Sequence, residues 1–97
     1  MPLFVVTAID KENALELRMA TREAHFAYAQ QTGVIRIGGP FLDAKEEMAG
    51  SLIIFEAADF EAAKAWHAND PYVKAGLFAH SDVRPWKLTF NPIDAKF

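Results

Sequence analysis

Hydrophobic and polar positions change their period several times along this chain. Leu3-Phe4-Val5-Val6-Thr7-Ala8-Ile9 is apolar and β-branched, the composition of a strand, and Asp10-Lys11-Glu12 ends it. Asn13 followed three residues later by Glu16 has the form of a capping box that starts a helix. Helical periodicity then runs to Gln31, and Gly33 stands where a left-handed cap would close it. The helix carries two apolar stripes, Leu15, Met19 and Phe26 on one and Leu17, Ala20, Ala24 and Tyr28 on the other. Such a helix is either broken midway or buried on two sides.

Val34 to Ile37 reads as a second strand, stopped by Gly38-Gly39-Pro40. Phe41 to Ala49, rich in Asp, Lys and Glu, reads as a solvated connection ending at Gly50, before a third strand from Ser51 to Phe55. Asp59 is a good N-cap for a second helix from Phe60 to about Ala68, with Ala62, Ala63 and Trp66 facing inward. Asp70-Pro71 breaks that helix and can cap a short helical turn through Val73-Lys74-Ala75. Leu77 to Phe90 contains the last strand, where Pro85 calls for an edge or a bulge. Asn91 to Phe97 reads as a tail that leaves the domain.

Strand, helix, strand, strand, helix, strand is the order of two split βαβ units. It predicts an α+β, ferredoxin-like β-α-β-β-α-β domain over residues 1–97, an antiparallel sheet with both helices on one face. Phe4-Val5-Val6 and Leu52-Ile53-Ile54-Phe55 do not alternate apolar with polar, and such runs need cover on both faces. The helices cover one. The pattern therefore predicts a homodimer joined through its sheet faces, a dimeric α/β-barrel-like assembly.

Composition supports the same picture. The chain has 97 residues, enough for one domain, and a chain of that size buries only ~60–65% of its unfolded surface. Yet 52% of the residues are hydrophobic and eight are Phe, more than a lone small core hides, which again points to a partner surface. The net charge is -3 and no basic run exists, so nucleic acid is not an expected partner. Cysteine is absent, which removes disulfides, thiolate catalysis and Cys-type zinc sites. The first strand begins at the second or third residue, leaving no room for a signal peptide, and no stretch approaches the ~20 apolar residues of a membrane span. The expected compartment is the cytoplasm.

The chemistry-bearing residues are few. His25 follows Arg22 by about one helical turn and Arg18 by two, near the border between the apolar stripes. A histidine there can be partly desolvated, neutral and useful as a base, or it can simply hydrogen-bond a carbonyl at the edge of the core. Asp70 also has two readings. Its carboxylate caps the turn that Pro71 opens, or it orients one nitrogen of His25 and raises the basicity of the other. Ser51 can bond a ligand or end a turn. His80 reads equally well as an interface residue, and His67 as solvated. Tyr72 and Trp86 wall a pocket or pack a core. At Gly38 and Gly39 a ligand could approach bare backbone, or the chain could bulge. The scattered histidines show no metal-ligand spacing, so neither a metal nor a cofactor is expected.

Several of these residues also fall in a recognisable pattern. Arg22-Glu23-Ala24-His25-Phe26, Gly39-Pro40, Gly50-Ser51 and Asp70-Pro71-Tyr72-Val73-x-Ala75-Gly76, followed by Val83-x-Pro85-Trp86, resemble the signature of the YciI-type, YCII-related family. The match runs from the first strand to the last. The resemblance implies a ferredoxin-like dimer, related in shape to muconolactone isomerases, with activity centred on a His–Asp pair. One relative is a dehydrochlorinase acting on an aromatic diol. Carried over, the pair falls on His25 and Asp70. Ser51 and His80 match the family pattern as well. Glu23 stands where such proteins often have Pro, which could let the first helix run unbroken. Gly39-Pro40-Phe41-x-x-x-Lys45-Glu46 is similar to the DGPF-type branch, with Gly38 in place of its Asp.

The sequence thus predicts a small-molecule enzyme of lyase or isomerase type. His25 would be its general acid or base and Asp70 the orienting group. Arg18 or Arg22 would hold an anionic or phenolic ligand, with Ser51, Gly39 and Tyr72 around it. The competing expectations are a non-catalytic ligand-binding or accessory dimer using the same pocket, and a purely structural dimerisation domain.

Overall fold

In the computed structural model, which describes residues 1–97, the sheet is built around strand β1 (Leu3–Asp10). Its side chains alternate, with Phe4, Val6 and Ala8 buried and Leu3, Val5 and Thr7 only partly covered on the other side. Helix α1 (Leu15–Thr32) follows, then β2 (Ile35–Gly39), β3 (Gly50–Glu56), helix α2 (Phe60–Ala68), the single turn α3 (Pro71–Lys74) and β4 (Phe78–Trp86). The four strands lie in the order β2-β3-β1-β4, all neighbours antiparallel, which is the expected ferredoxin-like β-α-β-β-α-β topology. Pro85 is accommodated because β4 is an edge strand.

Between the sheet and α2 lies an aromatic core. Phe55 and Trp66 stack with ring centroids 4.4 Å apart, and Phe4, Val6, Ile53 and Ala63 close around them. Fully burying a side chain such as Phe55 contributes about 1.5–3 kcal/mol. Two hydrogen bonds tie α1 to α2: the Tyr28 hydroxyl donates to the Trp66 carbonyl at 2.8 Å, and the Trp66 indole donates to Thr32 Oγ1 at 3.0 Å.

Helix α1 departs from its prediction at both its start and its face. Ala14, not Asn13, is the N-cap, and no side chain caps the helix. Asn13 lies outside it with φ 55°, a left-handed conformation that Asn tolerates, so no capping box forms with Glu16. The helix is continuous past Glu23 and ends at Gly33 (φ 65°) as expected. Neither apolar stripe is its buried face, since Leu17, Met19 and Phe26 are exposed and the buried residues are Arg18 and His25. Both are polar, and each buries a satisfied hydrogen-bonding group instead of hydrocarbon.

Smaller differences follow from glycine and from helical spacing. Gly38 and Gly39 continue β2 instead of stopping it, paired with Ile53 and Leu52. Gly50 begins β3, where a Cβ would collide with the Ala8 carbonyl oxygen, so only glycine fits. The 41–49 connection folds back on itself through a Leu42–Met48 bridge, with Asp43 accepting from the Lys45 and Glu47 amides. Asp59 caps α2 through the Ala62 amide as predicted, but Ala62 itself is exposed. The buried stripe is Ala63, Trp66 and His67, the i, i+3, i+4 set, so His67 is not solvated. Beyond β4 the Asn91 side chain closes a turn on Ala95, and the Phe97 ring sits 6.1 Å from that of Trp86.

Candidate functional site

Asp70 is placed by the break between α2 and α3. Pro71 cannot continue α2, and the turn it opens aims the Asp70 side chain inward, where it is fully buried. One carboxylate oxygen accepts the Tyr72 amide at 2.9 Å, which caps α3. The same oxygen lies 2.9 Å from His25 Nδ1, with the second oxygen at 3.1 Å. The cap and the His25 contact, alternatives in the sequence, are made together by one group. A carboxylate only accepts, so Nδ1 carries the hydrogen, and in the neutral imidazole Nε2 is the nitrogen with the lone pair. Nε2 has no protein partner, and His25 lines a cavity of about 400 Å³.

That cavity lies between α1, β2 and β3, with α3 at its end. Arg18, Arg22, His25, Gly39, Ser51 and Tyr72 all line it, and Asp70 stands behind His25. Apolar walls come from Phe26, Ile35, Met48 and Ile53, none of which the sequence marked as site residues. Their signal was ordinary core hydrophobicity. The Tyr72 ring stacks on His25 at 4.3 Å and 19°, which fixes the imidazole plane.

The two arginines differ. Arg18 is buried and gripped by Asp10 at 2.7 and 3.0 Å, and it also donates to the Gly50 carbonyl and to Ser51 Oγ, both at 2.8 Å. Burial, the largest influence, would lower its pKa, but Asp10 and, to a smaller extent, Tyr72 together more than offset that and leave it raised. Asp10 looked like a mere strand terminator in the sequence, and its role as Arg18's partner was invisible there. Arg22 is exposed, its guanidinium 5.1 Å from the Phe26 ring, and no carboxylate pairs with it. Tyr72 has its pKa raised, first by burial, with Arg18 and Arg22 pulling the other way, so its phenol keeps its proton at neutral pH.

The remaining histidines lie elsewhere. His67 is buried against Ser81 at 3.0 Å with Nδ1 unpartnered, while His80 is exposed, 3.9 Å from Asp82. No group of three or more His, Cys, Asp or Glu side chains is arranged to hold a metal ion.

Residues 2–87 match the model of the YCII-related domain. This chain belongs to the YCII-related family. Within that family it is 39% identical to Protein YciI of Escherichia coli O6:H1 over 97 aligned residues, covering 91% of this chain and 99% of that protein. An uncharacterised protein of Haemophilus influenzae is 36% identical, covering 90% of this chain and 98% of that one. Among solved structures, the 5-chloro-2-hydroxyhydroquinone dehydrochlorinase TftG of Burkholderia phenoliruptrix AC1100, complexed with 2,5-dihydroxybenzoquinone, superposes with a TM-score of 0.81. It is 36% identical, and the match covers 88% of this chain and 93% of that one. A NIPSNAP family protein of Agrobacterium tumefaciens shares the fold alone, at a TM-score of 0.59 and 18% identity over 94% of this chain and 96% of that one. No helix is long and apolar enough to cross a membrane.

Proposed function

We propose that this chain is a proton-transfer enzyme of lyase or isomerase type acting on a small anionic or phenolic molecule. The observation that carries the reading is the His25–Asp70 contact at 2.9 Å, with the second imidazole nitrogen facing a largely apolar cavity. Nε2 takes a proton from the ligand, and Asp70 stabilises the imidazolium that results. Arg22, the one cavity cation without a carboxylate partner, draws the anionic group. Arg18 spends its charge on Asp10 and supports the floor through Ser51 and the Gly50 carbonyl. The dehydrochlorinase activity of TftG, 36% identical and of the same fold, supports the lyase side of this reading.

The active form in this proposal is a homodimer joined through the sheet face opposite the helices. Val5, Leu52 and Ile54 lie on that face half-covered, and Ile9 and Ile37 are about half exposed, at 51% and 50%. Its charges are already paired within the chain: Asp82 accepts from Thr7 at 2.8 Å and from Arg84 at 3.1 Å, and Glu56 pairs with Arg36. A second copy can therefore cover the face without stranding a lone charge.

The test is binding of 2,5-dihydroxybenzoquinone, followed by thermal shift and absorbance. Binding to the native state raises the melting temperature by mass action. The wild type should show saturable stabilisation and His25→Ala should lose it. If the wild type shows no saturable effect with this or other phenolic and carboxylate probes, the proposal fails.

A further inference from the structure

Tyr72 does more than wall the cavity. It is 3% exposed, its ring stacked on His25 at 4.3 Å, with the Arg18 guanidinium carbon 4.8 Å from the ring centroid. Its hydroxyl oxygen accepts from the Arg18 guanidinium, which can only donate, and its own hydrogen has no protein acceptor. The residue lines the cavity. The other tyrosine, Tyr28, behaves in the ordinary way and donates to the Trp66 carbonyl. Buried phenols find partners as a rule. A free donor beside a free imidazole nitrogen therefore points to a ligand oxygen as the missing acceptor.

Resting on the proton-transfer reading, we propose that Tyr72 is a second catalytic residue, donating its hydroxyl hydrogen bond to the oxygen of an enol- or phenol-forming substrate while His25 works on carbon. The step balances without any co-reactant. His25 Nε2 takes a proton from the carbon next to a carbonyl, and the C–H pair becomes a carbon–carbon double bond. The carbonyl π pair moves onto oxygen, where the Tyr72 O–H and the Arg22 charge meet it. The proton returns to a different carbon in an isomerisation, or the electrons expel a leaving group that the substrate carries. Donors fixed in advance at the point where charge develops are a strong source of such catalysis. Burial, the main influence on Tyr72, keeps its proton in place for this duty. The substrate class that fits is a small planar carbonyl compound with an acidic C–H, bound as its oxyanion.

The probe is 4-nitrophenol, titrated at a pH where it is the phenolate and followed by its absorption band. Wild type should bind it with a shifted maximum. Tyr72→Phe keeps the ring and its stack on His25 but has no donor. It should bind about 10- to 100-fold more weakly, as expected for loss of a hydrogen bond to a charged acceptor, and without the band shift. Tyr28→Phe should change neither. In a Tyr28→Phe background Tyr72 is the sole tyrosine, because the chain has two, so 3-fluorotyrosine can be placed there alone. The more acidic phenol should tighten binding. If Tyr72→Phe, folded by its melting curve, matches wild type in affinity and band position, or if fluorination leaves both unchanged, the role of Tyr72 is wrong and the His25–Asp70 reading survives. If wild type binds no phenolate at all, the cavity reading beneath it falls as well.

Discussion

Arg18 and Asp10 form a bidentate, nearly buried ion pair, 2.7 Å and 3.0 Å, that ties the first turn of α1 to the end of β1. The pair makes Arg18 a structural arginine and leaves Arg22 the cavity arginine without a carboxylate partner. Removing one member of a buried pair typically costs 3–5 kcal/mol, because the other is left charged and alone. Arg18→Ala should lower urea-unfolding stability by about that much. Arg22→Ala, at an exposed position, should stay within about ±0.5 kcal/mol and instead weaken phenolate binding. Equal stability losses in the two variants would show that the ion pair does not anchor α1.

Asp70 serves His25 and the Tyr72 amide at once, and two substitutions separate the duties. Asn caps helices nearly as well as Asp, so Asp70→Asn should keep most of the stability. It cannot stabilise an imidazolium, so turnover of any probe that the wild type converts should fall by 10-fold or more. Asp70→Ala strands two buried donors and should cost about 2 kcal/mol or more. Thermal melts of both variants, beside the activity assay, give the answer.

The open sheet face is tested by charge. Ile53 is 4% exposed on the helix-covered face, whereas Ile54 points to the other side. Ile54→Lys should give a folded monomer in sedimentation, while Ile53→Lys should fail to fold. A dimeric Ile54→Lys variant would place the interface elsewhere.

His67 predicts the acid side of the stability profile. Burial, its main influence, lowers its pKa in the folded state below the ordinary value of about 6.5, against opposing pulls from Asp70 and Asp82. The unfolded chain then binds more protons than the folded one as pH falls through that value. Stability is fully present above about 6.5 and declines below it, until the folded-state pKa is reached. Substituting His67→Phe should flatten this part of a stability-versus-pH curve measured by urea unfolding.

The fold was legible because each element announced itself locally: Gly33 as a cap, Asp59 as an N-cap, Pro71 as a break and Pro85 as an edge marker. The faces were harder. Helical periodicity alone ranks Leu17 and Phe26 above Arg18 and His25 as buried positions. Only the distant partners Asp10 and Asp70 reverse that order, through tertiary pairing that no periodicity encodes. His67 was misjudged for another reason: the inner face of α2 was drawn through Ala62, whereas the Ala63, Trp66, His67 stripe turns His67 inward onto Ser81 of the edge strand. Six of the seven site residues named from the sequence line one cavity, while its apolar walls resembled any other core.

Strand β2 has a neighbour on one side only, and it contributes the bare Gly38-Gly39 wall of the cavity. The proposed proton-transfer pair, His25 and Asp70, by contrast sits on α1 and at the α2–α3 break, locked in by stacking and a capped turn. The reacting groups and the shape of the chamber are thus housed in separately anchored parts of the fold. Changes in β2 and the adjoining 40–49 segment can retailor which molecules enter while the acid–base machinery stays where it is. A scaffold divided in this way can change its substrate over evolutionary time while keeping its chemistry.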